Sequence, residues 1–193
     1  MKYLEELKKR YNINDRIIEK NRDLIKQIKK IRERPLKIEL ELEMEPVAAQ
    51  RTRKNRKTGH FYVPGAKVNR KTIQKLAGKQ LPEDFEKIKT EIKINIKSYL
   101  PIPKAFSKSE KYLAELGLIR PITKPDIDNL EKTILDGFNK FLWYDDSQVV
   151  DSRSRKFYSC HPRVEVIVKY QPMLFSKLQI RNQKNKIKEE EIE

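Results

Sequence analysis

The stretch of sequence that decides the fold is Asp126-Ile-Asp-Asn-Leu-Glu-Lys-Thr-Ile-Leu-Asp-Gly-Phe-Asn-Lys-Phe-Leu142. Its apolar residues recur at helical spacing and are Leu130, Ile134 and Phe138, followed by Phe141 or Leu142. Asp128 and Glu131 have the spacing of a capping box, with Asp in place of the usual Ser or Thr. The pattern predicts an amphipathic helix that begins near Asp128 and packs its apolar face against a sheet.

Alternating apolar and polar residues predict β-strands on both sides of this helix. The predicted strands are 36–44, a short one at 59–63, 88–96, 149–157 and 164–168. Two further helices are predicted at 71–77, ended by Gly78, and at 109–116, ended by Gly117. This order of elements predicts an α/β (α+β) fold, in which a mixed β-sheet is flanked by helices.

Residues 1–34 have a different pattern from the rest of the chain. Apolar residues recur there every seven positions and are Leu4, Tyr11, Ile18 and Ile25. The spacing predicts an added N-terminal helical arm, broken near Asn14 and ended by Pro35. Two interpretations stay open, a helix packed on its own domain and a coiled-coil arm. We therefore predict three parts, which are the arm at 1–34, an α/β domain at 35–170 and a charged tail at 171–193.

The charge of the chain indicates a polyanionic partner. The 193 residues include 44 Lys and Arg against 28 Asp and Glu, which gives a formal net charge of +16. Nucleic acid is the commonest cellular polyanion, and basic proteins bind it largely through its phosphates. The single cysteine, Cys160, excludes an internal disulfide and, with two histidines, a Cys/His zinc site. No apolar run is long enough to cross a bilayer and the start lacks a secretory signal, so we expect a cytoplasmic protein without a membrane partner.

Two acidic clusters are candidates for a metal site. Asp126 and Asp128 flank one residue at the helix start, and such close carboxylates repel each other unless a cation lies between them. Mg²⁺ prefers oxygen ligands, uses few carboxylates and keeps waters for a substrate phosphate. Asp146, in the Asp145-Asp146 pair of the following loop, can supply a third carboxylate. Lys132 follows Asp128 by one helical turn and can contact a phosphate.

Each of these residues also has a purely structural interpretation. Asp128 can cap its helix, the pair Asp145-Asp146 can form a turn, and Lys132 can be a solvated surface residue. The spacing of the acidic residues alone does not decide between these interpretations and a catalytic metal site.

A second candidate site is a dense basic segment, which we call the basic loop and define as residues 51–57. Its cationic residues are Arg51, Arg53, Lys54, Arg56 and Lys57. Contact with DNA phosphates is the functional interpretation, and a solvated loop is the alternative. The net positive charge of the chain favours contact with DNA.

Two longer motifs together resemble the RusA family of Holliday-junction resolvases. The first is Lys124-Pro-Asp-Ile-Asp-Asn-Leu-Glu-Lys-Thr-Ile-Leu-Asp-Gly-Phe-Asn139, and the second is Leu142-Trp-Tyr-Asp-Asp-Ser-Gln-Val-Val-Asp151. The family pattern is a D-x-D-N-x-x-K helix start, followed by an acidic pair, a Gln and a strand. The match is close over residues 122–158 and loose over 36–78. The arm and the charged tail are additions to the family pattern.

The resemblance implies a small homodimeric nuclease that requires Mg²⁺, or Mn²⁺ in its place. Such enzymes nick two strands of a four-way DNA junction symmetrically, in DNA recombination and repair. By position, Asp126, Asp128 and Asp146 match the family's essential, metal-binding acidic residues. Lys132 matches its catalytic lysine, and Asp145 matches the acidic neighbour and ranks lower. Family members often occur in prophages, which implies a bacterial or phage-encoded protein with branched DNA as its partner.

Two rival hypotheses accompany this interpretation. The first is a less selective branched-DNA nuclease that uses the same carboxylates. The second is a non-catalytic basic DNA-binding protein, such as a phage accessory protein. A comparison of cleavage on four-way junctions and on linear duplexes, with and without Mg²⁺, separates the three.

Overall fold

The computed structural model describes residues 2–50, 52–54, 56 and 59–176. The chain divides into two compact units, Met1–Leu36 and Lys37–Glu193. Most of the charged tail predicted at 171–193 lies outside the described residues. No helix in the described part of the chain is long and apolar enough to cross a membrane.

The first unit consists of three consecutive helices. They are α1 (Lys2–Tyr11), α2 (Asp15–Lys20) and α3 (Arg22–Arg32). The break after α1 lies where the sequence predicts it, because the Asn14 side chain accepts a hydrogen bond from the Ile17 backbone N–H (3.0 Å) and caps α2. A second break, at Asn21, was not predicted. Tyr11 is 63% exposed and Ile25 45%, so packing of the arm on its own domain and a coiled coil both stay predictions.

The second unit contains a four-stranded mixed sheet and a two-stranded hairpin. The strands are β1 (Leu36–Leu42), β2 (Arg53–Lys54), β3 (Phe61–Tyr62), β4 (Ile92–Pro101), β5 (Val149–Ser159) and β6 (Arg163–Tyr170). The sheet has the order β1-β6-β4-β5, in which β5 is parallel to β4 and β6 is antiparallel to it. The hairpin pairs β2 with β3. The predicted mixed β-sheet flanked by helices is therefore confirmed.

In the described part of this unit, three α-helices accompany the sheet, and two of them pack against each other. The helices are α4 (Ala66–Gly78), α5 (Lys108–Glu115) and α6 (Ile127–Phe138). The core joins Ile73 of α4 and Ile134 and Phe138 of α6 to buried residues of the strands. A Cβ atom on Gly137 would lie 2.7 Å from the Cδ1 atom of Ile73, so a glycine is required where α4 and α6 cross.

Several sequence-based boundaries, and one predicted helix cap, were wrong. The second long strand begins at Ile92, whereas Ile88 forms an isolated bridge with Trp143. Helix α4 begins five residues before the predicted 71–77, because its first turns are mostly exposed, Val68 included, and so carry no buried apolar stripe. The predicted capping box of α6 is absent. Helix α6 has Asp126 as its N-cap, and Glu131 accepts hydrogen bonds from hydroxyl groups of β5 instead.

Candidate active site

The start of α6 presents two exposed carboxylates. Asp126 is the N-cap residue and has an extended backbone (φ −70°, ψ 145°), but its side chain does not cap the helix. Asp128 lies in the first helical turn, where the positive end of the helix dipole favours an anion. The Lys156 ammonium holds the preceding segment, since it donates to the carbonyls of Thr123 and Pro125 at 2.9 Å each. The backbone leading to both carboxylates is therefore held, and the exposed carboxylates are open to a ligand.

The third predicted acid, Asp146, lies beyond the other end of α6 and is held by two neighbours. Its Oδ1 atom accepts a hydrogen bond from the Trp143 indole N–H (2.9 Å), and its Oδ2 atom accepts one from the Asn139 amide (3.1 Å). Trp143 is fully buried in the core, and Asn139 is the C-cap of α6. The carboxylate of Asp146 is thus oriented by the helix end and by the core.

The charges around Asp146 act in opposite directions on its pKa. Burial raises the pKa of Asp146 above its usual range, and the hydrogen bond from Trp143 opposes that shift. The negative charges of Asp136 and Asp145 raise the pKa of Asp146 further, whereas the positive charge of Arg70 lowers it. A bound cation would offset both the cost of burying the charged carboxylate and the repulsion from its acidic neighbours. This fits a metal-binding role for Asp146.

A buried glutamine fixes the loop that carries Asp146. The Gln148 amide donates to the carbonyls of Ile88 (2.9 Å) and Thr90 (3.0 Å), and its oxygen accepts from the backbone N–H groups of Tyr144 (3.0 Å) and Asp145 (3.1 Å). One side chain therefore ties the acidic loop to the chain that leads into β4. In the resembling motif this Gln follows the acidic pair, and its role here is structural.

Asp145 also has a structural role in this loop. Its carboxylate accepts a hydrogen bond from the Ser147 backbone N–H (2.8 Å) and caps the short 3-10 turn Asp146–Gln148. This contact agrees with ranking Asp145 below Asp146 as a candidate metal ligand. Asn139 and Trp143 were not predicted as partners of Asp146; their only signal in the sequence was their place shortly before the acidic pair.

The predicted acidic residues are not brought together within one chain. Asp126 and Asp128 lie at the start of α6, and Asp146 contacts the residue that ends it. The 12 residues of α6 span about 18 Å at 1.5 Å per residue. Among the described residues, no group of three His, Cys, Asp or Glu side chains is arranged to hold a metal ion. Lys132 is exposed and lies one turn after Asp128, between the two acidic ends.

The donor set suits a magnesium ion even so. The carboxylates of Asp126 and Asp128 offer hard oxygen ligands, and Mg²⁺ is usually bound by one or two carboxylates together with water and substrate phosphate. Each oxygen of Asp146 accepts one of these two hydrogen bonds, which leaves lone pairs for a cation.

Part of the basic loop forms the short hairpin of β2 and β3. Arg53 pairs with Tyr62 and Lys54 pairs with Phe61. The side chains of Arg53, Lys54 and Arg56 are exposed, and the Lys54 ammonium lies 5.8 Å from the centre of the Phe61 ring. Two predicted DNA contacts, Arg51 and Lys57, lie outside the described residues. The described cations are thus placed where DNA could reach them, and their role stays a prediction.

Comparison with known proteins identifies a nuclease family for this chain. A family model described as endodeoxyribonuclease RusA matches residues 43–169. The match includes α6, the acidic loop and the sheet from β4 onward, and it leaves the three helices of the arm outside. A protein of Bacillus subtilis (strain 168), described as uncharacterized protein YqaN, is 41% identical over 130 residues, which cover 65% of this chain and 90% of that protein. The chain therefore belongs to the RusA family of endodeoxyribonucleases.

Proposed function

We propose that this protein is a Mg²⁺-dependent, structure-selective endonuclease that resolves four-way DNA junctions by paired symmetric nicks. Mn²⁺ can take the place of Mg²⁺. The proposal rests mainly on the three carboxylates of the family motif, which are held at the two ends of one helix in a chain of net charge +16. Such an activity belongs to DNA recombination and repair in a bacterium or a phage.

Each residue of the site has a distinct task in this proposal. When bound, Mg²⁺ lowers the pKa of a coordinated water and stabilises negative charge on the phosphate oxygens. Asp126 and Asp128 bind the metal from the start of α6. Asp146 binds it through a carboxylate that Trp143 orients. The Lys132 ammonium faces the phosphate and stabilises the charge that develops on it.

The separation of the acids further supports a metal site that two chains share. About 18 Å of helix lies between Asp126 and Asp146 in one chain, whereas two carboxylates on one Mg²⁺ ion are within about 4 Å of each other through the metal. A two-fold homodimer can place the start of α6 from one protomer beside Asp146 from its partner. It then contains two equivalent sites, and two equivalent sites suit two symmetric cuts.

The test compares cleavage of labelled four-way junctions and matched linear duplexes, with and without Mg²⁺. We expect junction cleavage only with the metal, and its loss in Asp126→Asn, Asp128→Asn and Asp146→Asn while junction binding is retained. Asp151→Asn is the control, because Asp151 is an exposed acid on β5 that pairs with Lys93 (3.5 Å).

Each other result overturns a part of the proposal. Full activity in one of the three Asn variants would remove that residue from the site. Equal cleavage of duplexes would make the protein a less selective DNA nuclease. Binding without any cleavage would support the non-catalytic DNA-binding protein.

A further inference from the structure

A cleft of about 370 Å³ lies between the first turns of α4 and the middle of α6. At one end the two helices touch, where Gly137 packs against Ile73. On the opposite side the extended segment around Ala49 is fixed to α6, because the Ala49 backbone N–H donates to the Asn129 carbonyl (2.9 Å). The cleft is therefore a preformed gap between elements that are held on both sides.

The two walls of the cleft carry different chemistry. Lys67 and Arg70 bring two cations from α4, whose first turn has no acidic residue. Thr133 and Asp136 bring acceptors from α6. The Thr133 hydroxyl donates to the Asn129 carbonyl (3.1 Å), so its oxygen is left as an acceptor. The remaining lining includes small or rigid apolar residues, which are Ala49, Val63, Pro64 and Ala66.

One nucleotide has the chemistry that matches these walls. Its phosphate is an anion and suits the cationic side, while its base is flat and apolar on both faces. The edge of adenine, cytosine or guanine carries an exocyclic amino group, which can donate to a carboxylate. The volume of about 370 Å³ is at the small end of the range for ligand pockets, which suits one nucleotide and excludes a duplex.

The cleft lies close to Asp146, the proposed metal ligand beyond the end of α6. Asp136 and Arg70 line the cleft, and both are near enough for their charges to act on the Asp146 carboxylate. Asp136 also follows Lys132 by one helical turn on the same side of α6. A nucleotide in the cleft would therefore belong to the same DNA strand segment that passes the proposed metal ligands.

We propose that this cleft binds one unstacked nucleotide of a branched DNA, with its phosphate toward Lys67 and Arg70 and its amino-bearing base against Thr133 and Asp136. The inference rests on the proposed function. Unstacking a base costs least where pairing is already interrupted, so the cleft favours branch points over linear duplex. Capture of a base with an amino group also gives the enzyme a sequence preference at that position.

The test uses the full-length protein and a four-way junction with 2-aminopurine, a fluorescent base that carries an exocyclic amino group, at the branch point. Binding is measured without a divalent metal, so that no strand is cut. Among the described residues that line the cleft there is no aromatic ring to quench the probe. We expect the fluorescence to rise severalfold when the protein binds, and to stay unchanged with 2-aminopurine in the middle of a duplex arm.

Variants that fill the cleft should abolish the rise. Ala66→Trp fills it from α4, and Ala49→Leu fills it from the opposite wall, so a folding defect in one variant leaves the other as a test. Val68→Trp is the matched control, because Val68 is on α4 and 67% exposed but does not line the cleft. A rise that persists in both filled variants, or no rise with the unmodified protein, would overturn the inference. Base capture without junction cleavage would overturn only the proposed function, and cleavage without capture only the inference.

Discussion

A mixture of two inactive chains tests whether the metal site is shared between protomers. One chain carries Asp126→Asn and keeps Asp146, and the other carries Asp146→Asn and keeps Asp126. In a mixed dimer with shared sites, one site contains both substitutions and the other contains neither. Each chain alone should be inactive, whereas the mixed dimer should regain one intact site.

The size of the rescue follows from the geometry of α6. Its 12 residues separate Asp126 from Asp146 by about 18 Å, so one chain cannot place both acids on one ion. Random pairing of equal amounts makes about half of the dimers mixed, and each mixed dimer has one intact site of two. About a quarter of the wild-type concentration of sites should therefore return, well above the zero expected for independent sites.

The two chains are unfolded and refolded together, and cleavage of a labelled four-way junction is followed with Mg²⁺. Because a mixed dimer has one intact site, the main product should be a nicked junction rather than two separated duplexes. The matched control mixes the Asp126→Asn chain with an Asp128→Asn chain, so that every shared site carries a substitution. Rescue in this control, or no rescue in the test mixture although mixed dimers form, would refute the shared site.

Three further predictions concern the neighbours of the site. Trp143→Phe removes a hydrogen bond that lowers the pKa of Asp146, so the acid limb of the pH–cleavage profile should move to higher pH; an identical profile would show that the indole N–H is not needed. Alanine at the three arginines of the basic loop should weaken binding to junctions and duplexes alike and flatten the dependence of log affinity on log salt by about one unit per lost phosphate contact. An unchanged salt slope would mean that the loop does not touch phosphate. Gly137→Ala should lower the free energy of unfolding in urea by about 1–3 kcal/mol, because its Cβ would meet Ile73 at 2.7 Å. Combined with Ile73→Val it should cost less than the two single changes together, and strict additivity would contradict this packing.

The sequence predicted the type of most elements and the starts of β1 and β5, but it misplaced the starts of α4 and β4. The apolar stripe of α6 identified the helix and its buried face, since that pattern depends only on neighbours along the chain. The start of the helix was predicted to within about one residue, but its cap was wrong, because the Asp128–Glu131 spacing suggested a local capping box. Glu131 instead bonds to the hydroxyls of Ser152 (2.6 Å) and Ser154 (2.7 Å), and no local pattern reveals a partner that far along the chain.

The candidate site was predicted residue by residue rather than as a geometry. The motif supplied Asp126, Asp128 and Asp146, and the chain belongs to the family that the motif resembled. A helix over 126–142 already implied that its two ends lie far apart. A sequence motif, however, gives only the order and spacing of its residues along the chain and not the distances between them in space. The partners of Asp146 depend on how the loop folds back onto the core, and the sequence gives no spacing rule for that.

The rigid helix between the acidic ends has a consequence for the spacing of the two cuts. In a dimer with shared sites, each α6 runs from one reaction centre to the other, so its length determines how far apart the two scissile phosphates lie. One added residue would rotate the acids by about 100° relative to each other and misalign both centres, whereas a whole added turn would keep their direction and move the centres apart by about 5.4 Å. In such a dimer, the number of residues in α6 would set the length of DNA between the two nicks.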